Sequence, residues 1–204
     1  MSLETLAHSH ISAGDLGGFL AVLSLDELEV NRGDAKCDGW TLLHHACEEG
    51  KSDFVRALLL HPEIDANARD AAKQTPFWWA CSWNREETMK EMLREESVDV
   101  NLPNDDGETP LWTAMYYGYT RVVLRLIASG KNLNLLAKAR YAITNEVVGV
   151  REIAAKRGKV QVLKLFDNFV ANPEKTRNEA RTLLGYQGED PYLLLFFIFY
   201  FFPF

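Results

Sequence analysis

The chain has 204 residues and a mass of 23.2 kDa, which is enough for one large domain or two small ones with a buried core. Apolar residues make up 47% of the chain and charged residues 25%, a composition that is typical of globular rather than disordered proteins. The formal net charge of −7 argues against a general nucleic-acid binder.

Three cysteines at wide spacing do not make a disulfide scaffold and indicate a reducing compartment. The N-terminal residues have neither the basic region nor the apolar run of a signal peptide, and no apolar stretch reaches the ~20 residues of a membrane helix. We therefore expect an intracellular protein, cytoplasmic or nuclear, without a membrane span.

Several residue types recur at an interval of 34 positions, which indicates internal repeats. The recurring sets are Thr41, Thr75 and Thr109; Ala46, Ala80 and Ala114; Leu58, Met92 and Leu126; Asn67 and Asn101. Three full copies therefore run from about residue 36 to residue 137. A fainter copy precedes them, and another follows in which the connection near residues 141–148 is about six residues longer.

Each copy contains the signals for two helices. In Thr75–Pro76 and Thr109–Pro110, a good N-cap residue precedes a proline at the first helical position. The first helix ends at a position occupied by Gly50, Asn84 or Gly118, the residue types that best adopt a left-handed conformation. A second helix follows, with apolar residues at helical spacing, and a polar turn leads into the next copy.

The segments 38–47, 75–80 and 109–114 resemble the Thr-Pro-Leu-His-x-Ala signature of ankyrin repeats. Trp78 and Trp112 stand in the place of the signature histidine, so the hydrogen bonds that this histidine usually makes between repeats must differ there. The resemblance implies an all-α solenoid of about four to five helix-turn-helix repeats joined by short hairpin-like turns. The approximate repeats are residues 1–35, 36–69, 70–103, 104–137 and 138–170.

The C-terminal part begins with a further helix signal. Asn172 followed by Pro173 predicts an N-cap and a helix over residues 174–184, and we expect residues 171–188 to cap the last repeat. The stretch 172–186 is also similar to an extension of fungal ankyrin proteins.

Residues 189–204 form a hydrophobic tail that we expect to be poorly ordered. Three interpretations stay open: an artefact of the gene model, a segment that touches a membrane or is covered by a partner, or a strap packed on the repeats.

The sequence contains no recognisable catalytic or metal-binding motif. It lacks a zinc-spaced Cys/His set, a Gly-rich phosphate loop and a nucleophile elbow, so we expect no enzyme, no metal and no cofactor. Cys47 and Cys81 are expected in the core, and Cys37 in an exposed turn.

The resemblance instead implies that a partner protein contacts the turn tips and the exposed ends of the first helices, along one concave face. The matching positions are Asp38, Trp40, Glu48, Glu49, Gln74, Trp83, Asp105, Asp106, Glu108, Tyr116 and Tyr117. We expect the aromatic members of this set to form a stripe edged by acids, which would favour a partner with a basic segment. Packing of these rings against neighbouring loops is the alternative, and Trp79 and Trp112 are expected in the core.

The sequence thus predicts a monomeric, non-catalytic protein-interaction module. The competing hypothesis is an adaptor or regulatory subunit that is tethered to a membrane or a complex through its C-terminal region.

Overall fold

The computed structural model describes residues 2–35 and 37–186, which form eleven α-helices and one two-stranded sheet. The helices are α1 (Leu3–Ala13), α2 (Leu16–Leu23), α3 (Leu42–Glu49), α4 (Ser52–Leu59), α5 (Pro76–Ser82), α6 (Glu86–Arg94), α7 (Pro110–Tyr117), α8 (Thr120–Ser129), α9 (Val150–Lys156), α10 (Val160–Ala171) and α11 (Pro173–Leu183). The strands are β1 (Lys138–Tyr141) and β2 (Glu146–Gly149), paired antiparallel.

The predicted caps begin and end the first helices. The hydroxyls of Thr41, Thr75 and Thr109 each accept a hydrogen bond from the backbone N–H three residues further on. Gly50 adopts a left-handed conformation after α3, and Asn84 does so after α5 with φ 54°, as the sequence predicts. The cap expected from Asn172 is different, because its side chain makes no capping hydrogen bond to α11.

The helices stack in two rows. The first helices of successive pairs contact one another in the order α1, α3, α5, α7 and α9, and the second helices do so in the order α2, α4, α6, α8 and α10. Helix α11 packs against α8 and α10. One apolar core runs through the stack, because each pair covers the apolar side of the next. The all-α repeat solenoid expected from the sequence is therefore confirmed.

A row of asparagine side chains joins consecutive repeats along one edge of the stack. Asn67 donates through Nδ2 to the carbonyl oxygen of Ser97 (2.6 Å) and accepts through Oδ1 from the N–H of Asp99 (2.8 Å). Asn31 and Asn101 make the equivalent pair of hydrogen bonds to the repeats that follow them. We call this row the asparagine ladder.

The longer connection of the last repeat is a β-hairpin. Its strands are in register with Ala139 opposite Val148, and its tip lies at residues 142–145. The extra residues expected in this connection therefore form a local structure that leaves the helix stack uninterrupted.

Within the described residues, no helix is long and apolar enough to cross a membrane. The hydrophobic tail at 189–204, and with it the proposed C-terminal tether, lies outside those residues.

Candidate protein-binding site

Backbone hydrogen bonds connect the tips of the turns from one repeat to the next. Each bond runs from an N–H in one tip to a carbonyl oxygen in the preceding tip. The three bonds are Ala71 to Asp38 (2.7 Å), Asp105 to Ala72 (3.0 Å) and Arg140 to Asp106 (2.8 Å). We call the surface formed by these tips and by α3, α5 and α7 the inner face; its backbone is held in place before any partner arrives.

The residue at the signature position, near the start of each first helix, makes different hydrogen bonds in each of the three full repeats. His44 accepts from the N–H of Thr41 through Nδ1 (3.1 Å) and donates from Nε2 to the carbonyl oxygen of Gln74 in the next repeat (3.1 Å). Burial lowers the pKa of His44, so the neutral imidazole needed for this arrangement is favoured. The histidine therefore has a structural role.

Trp112 also makes a hydrogen bond to the next repeat, but its acceptor lies in strand β2 rather than in a turn. Its Nε1–H donates to the carbonyl oxygen of Val148 in β2 (2.9 Å), and its side chain is buried, as predicted. Trp78 is also buried, but its Nε1–H has no hydrogen-bond partner within the described residues. The carbonyl that corresponds to Gln74 is that of Glu108. Both carbonyls accept from the N–H four residues earlier, of Asp70 and Asn104, but only Gln74 also accepts from the signature residue of the preceding repeat.

The aromatic residues of the inner face form two groups rather than one stripe. In the first group, Trp40 and Trp79 lie with their ring centroids 4.5 Å apart, and Trp78 meets Trp79 edge-on. Trp79 was expected in the core, but it is partly exposed. The reason is that its Nε1–H donates to Asp70 at the turn (2.9 Å), which holds the ring beside Trp40.

The second group is centred on Tyr116. This ring stacks on Trp112, contacts Tyr117 and Tyr141, and lies under the guanidinium of Arg157, which is 4.5 Å from the ring centroid. Tyr116 is accordingly part-buried, as the loop-packing alternative predicts for it.

Two of the predicted aromatic residues remain open to solvent. Trp83 is 50% exposed and Tyr117 is 45% exposed, and they occupy equivalent positions at the ends of α5 and α7. Large exposed rings on a rigid surface are frequent anchors in protein interfaces.

A cavity of about 130 Å³ lies beside the second group and reaches Trp78 of the first. Its lining residues are Trp78, Glu108, Trp112, Thr113, Tyr116, Tyr117, Tyr141 and Ala142. Burial raises the pKa of the Glu108 carboxyl, and a hydrogen bond from Asn104 Nδ2 to its Oε2 (2.8 Å) opposes this effect. Sequence reasoning named Glu108, Tyr116 and Tyr117 but missed the other lining residues.

Within the described part of the chain, only some of the acidic side chains predicted to edge the aromatic stripe are without an ion pair and open to a partner. Asp38 and Asp106 are exposed at the tips, whereas Asp105 forms an ion pair with Lys73. Glu49 Oε1 lies 2.9 Å from His45 Nε2 and accepts a hydrogen bond from the Ser12 hydroxyl, so this carboxylate is already engaged within the protein.

Two of the predicted contact residues hold the repeats together through their backbones. The Glu48 carbonyl accepts from Arg85, and the Gln74 carbonyl accepts from His44. Their side chains are part-exposed on the inner face.

Cys47 and Cys81 are buried and Cys37 is exposed, as predicted. Burial raises the pKa of both buried thiols well above its ordinary value, which keeps them protonated and unreactive. Within residues 2–35 and 37–186, no group of His, Cys, Asp and Glu side chains could hold a metal ion.

Comparison with protein families agrees with the repeat architecture. A family model described as "Ankyrin repeats (3 copies)" matches residues 63–137, and one described as "Ankyrin repeat" matches residues 38–68. No curated protein matches the chain. Ankyrin repeats are generally protein–protein interaction modules, and proteins built from them are typically non-catalytic. Together with the stacked helix pairs, these matches identify the chain as a member of the ankyrin-repeat family.

Proposed function

We propose that this protein binds a partner protein on its inner face, and that it acts as a scaffold or adaptor without catalysis of its own. The observation that carries the proposal is the pair of exposed rings, Trp83 and Tyr117, at equivalent positions of neighbouring repeats. An aromatic ring loses few rotamers on binding and buries a large area, so two rings on one rigid surface are suited to anchor a partner.

Charge supports a partner with a basic segment. Asp38 and Asp106 are exposed at the tips, and Glu108 lines the cavity beside Tyr116. Opposite charge at the rim of an interface mainly speeds association, so we expect the rate of capture to fall as salt increases.

The test is a double variant, Trp83→Ala with Tyr117→Ala, used as bait in a pull-down with the full chain as reference. Trp83 is half exposed, whereas Tyr117 also stacks on Tyr119 and meets Tyr116 edge-on, so the double variant should lose about 1–3 kcal/mol in the free energy of unfolding. Urea denaturation of the double variant must therefore show that it is still folded under the conditions of the pull-down. We expect specific partners, identified by mass spectrometry, to be lost from the double variant. Tyr116 is left intact because it packs against Trp112 and Tyr141.

The matched control is Leu60→Ala with Val170→Ala. These apolar side chains are 78% and 54% exposed, and they lie at the end of α4 and on α10, away from the inner face. The control should keep the partners. Equal capture by the double variant and the parent chain would refute binding through these rings.

A further inference from the structure

We propose that the partner segment on the inner face carries basic residues at one end and acidic residues at the other, and that its acidic end lies on the fifth repeat. This inference rests on the proposed function and adds the order and the direction of the partner's charges. The fifth repeat continues the inner face, because α9 packs against α7 and the N–H of Arg140 donates to the carbonyl oxygen of Asp106 in the preceding tip (2.8 Å).

The residue at the end of each first helix changes its chemistry along the stack. In the second to fifth repeats it directly precedes the residue with a positive φ that terminates the helix. These residues are, in chain order, Glu49, Trp83, Tyr117 and Arg157. The row thus begins with a carboxylate, continues with the two exposed rings and finishes with a guanidinium.

The tips of the turns show the same change of sign. One position of the tip recurs every 34 residues and is occupied by Asp38, Ala72, Asp106 and Arg140. All four residues are exposed. Carboxylates therefore lie on the tips of the second and fourth repeats, and a guanidinium lies on the tip of the fifth.

Two side chains at the start of the face are open to a basic residue, and we call them the acidic end. Within the described residues, Asp38 and Glu48 form no ion pair, and both are accessible to solvent. Glu49 is not counted, because it already contacts His45 and Ser12. A lysine or arginine of the partner meets, at this end, two carboxylates that the described chain does not neutralise.

Two guanidinium groups, those of Arg140 and Arg157, form the basic end. Both are exposed, and within residues 2–35 and 37–186 neither forms an ion pair, unlike the neighbouring Lys156, which pairs with Glu146. The guanidinium of Arg157 lies 4.5 Å from the centroid of the Tyr116 ring, which holds it in place before a partner binds. Stacking covers a face of the guanidinium and leaves its N–H edge open to a bidentate contact with a carboxylate.

A segment with a single sign of charge fits only part of this face. A wholly basic segment places like charges against the basic end, and a wholly acidic segment does so at the acidic end and at Asp106. Like charges that meet in an interface cost free energy and reject the wrong partner. A segment whose charge changes sign avoids both costs.

The spacing of the helices sets the length of the segment. Packed helices lie about 8–10 Å apart, so the steps from α3 through α5 and α7 to α9 span about 24–30 Å. An extended chain advances about 3.3 Å per residue and covers this distance with about eight residues. The side chains that meet Trp83 and Tyr117 are then about three residues apart, between the two charged ends.

The test compares three synthetic peptides for binding to the full-length protein, by fluorescence anisotropy at low salt. Each peptide has about ten residues, with two leucines about three positions apart, and only the paired residues at the two ends differ. The dipolar peptide has lysines at one end and glutamates at the other, the basic peptide has lysines at both ends, and the acidic peptide has glutamates at both ends. We expect the dipolar peptide to bind about fivefold more tightly than either of the others.

A charge reversal at the basic end should exchange this preference. Arg157→Glu should weaken binding of the dipolar peptide about threefold to tenfold and strengthen binding of the basic peptide by a similar factor. Lys164→Glu makes the same change of charge at an exposed position of α10 and is the matched control, which should leave the order of affinities unchanged. Circular dichroism of both variants verifies that the helices are intact.

NMR of the indole N–H signals gives the direction of the bound peptide. Trp40 lies next to the tip of the second repeat, whereas Trp112 in α7 donates to Val148 of the fifth repeat. A nitroxide on the lysine end of the dipolar peptide should broaden the Trp40 signal more than the Trp112 signal, and a nitroxide on the glutamate end should do the opposite. Both signals are assigned by their absence from the Trp40→Phe and Trp112→Phe spectra.

Equal affinities, a preference for either single-sign peptide, no binding of the dipolar peptide, or a nitroxide pattern with the ends reversed would each overturn the inference. If the charge order fails in this way while the Trp83/Tyr117 double variant still loses its partners, the proposed function stands. If the dipolar peptide is preferred but the double variant binds it as tightly as the parent chain does, the charge order stands and binding through the exposed rings fails.

Discussion

At the signature position of the first helices, the same kind of side chain makes a hydrogen bond to the next repeat in one case and none in another. His44 and Trp112 both donate a hydrogen bond to a carbonyl of the next repeat. Trp78 has the same place at the start of its helix and no such acceptor within the described residues. Two tryptophans at equivalent positions therefore differ in hydrogen bonding, because only Trp112 lies next to strand β2, which supplies the Val148 carbonyl.

This difference predicts unequal costs for the same substitution. Trp112→Phe removes the bond to Val148 and leaves that carbonyl with one partner fewer, whereas Trp78→Phe removes an N–H that has no partner. We expect Trp112→Phe to lower the free energy of unfolding by about 1–3 kcal/mol more than Trp78→Phe. Urea denaturation followed by circular dichroism measures both, and equal losses would show that the Val148 bond adds no stability.

At the scale of the elements, the repeats are joined mainly by polar bonds at their edges and by apolar contacts inside. The asparagine ladder satisfies one carbonyl and one N–H of the following repeat with each side chain. At the turn tips, a backbone N–H of one repeat donates to a backbone carbonyl oxygen of the preceding repeat. The stack is thus held along its edges as well as through its core.

The ladder predicts a clear effect of one substitution. Asn67→Ala leaves the Ser97 carbonyl and the Asp99 N–H without their side-chain partner, and we expect a loss of about 1–3 kcal/mol in the free energy of unfolding. Asn178→Ala, at an exposed position of α11, is the control and should change stability by less than about 0.5 kcal/mol. A loss no larger than that of the control would mean that water replaces the ladder bonds at no cost.

Much of this architecture can be read from periodic positions. Thr41, Thr75 and Thr109 predict where the first helices begin, and Asn84 predicts a left-handed end to α5, because each depends on local backbone preferences. The cavity beside Tyr116 could not be predicted in this way. It depends on Tyr141, which a hairpin without a counterpart in the other repeats brings to Tyr116.

At the scale of the whole molecule, histidines make stability depend on pH at the N-terminal end of the stack. Burial lowers the pKa of His8, and the nearby His45, with which it shares a hydrogen bond of 3.0 Å, lowers it further. Burial also lowers the pKa of His44. Protonation therefore favours the unfolded chain, in which these groups titrate near the ordinary histidine value of about 6.5.

We expect stability to be constant above about pH 7 and to fall as the pH decreases through about 6.5 toward the lower pKa values of the folded state. The urea midpoint measured at a series of pH values between 8 and 5 checks this expectation. His8→Gln should flatten the decrease, while His61→Gln, a change at the end of the second repeat's helix pair, should not. A midpoint that rises on acidification would contradict the assigned direction.

The hairpin between the fourth and fifth helix pairs has a practical consequence. Its tip carries Ile143, 68% exposed, only two residues from Tyr141 in the wall of the cavity beside Tyr116. A fluorophore attached at this tip, after removal of the exposed thiol of Cys37, would sense occupancy of the neighbouring cleft without replacing any residue that lines it. The irregular repeat thus offers a built-in place for an optical sensor.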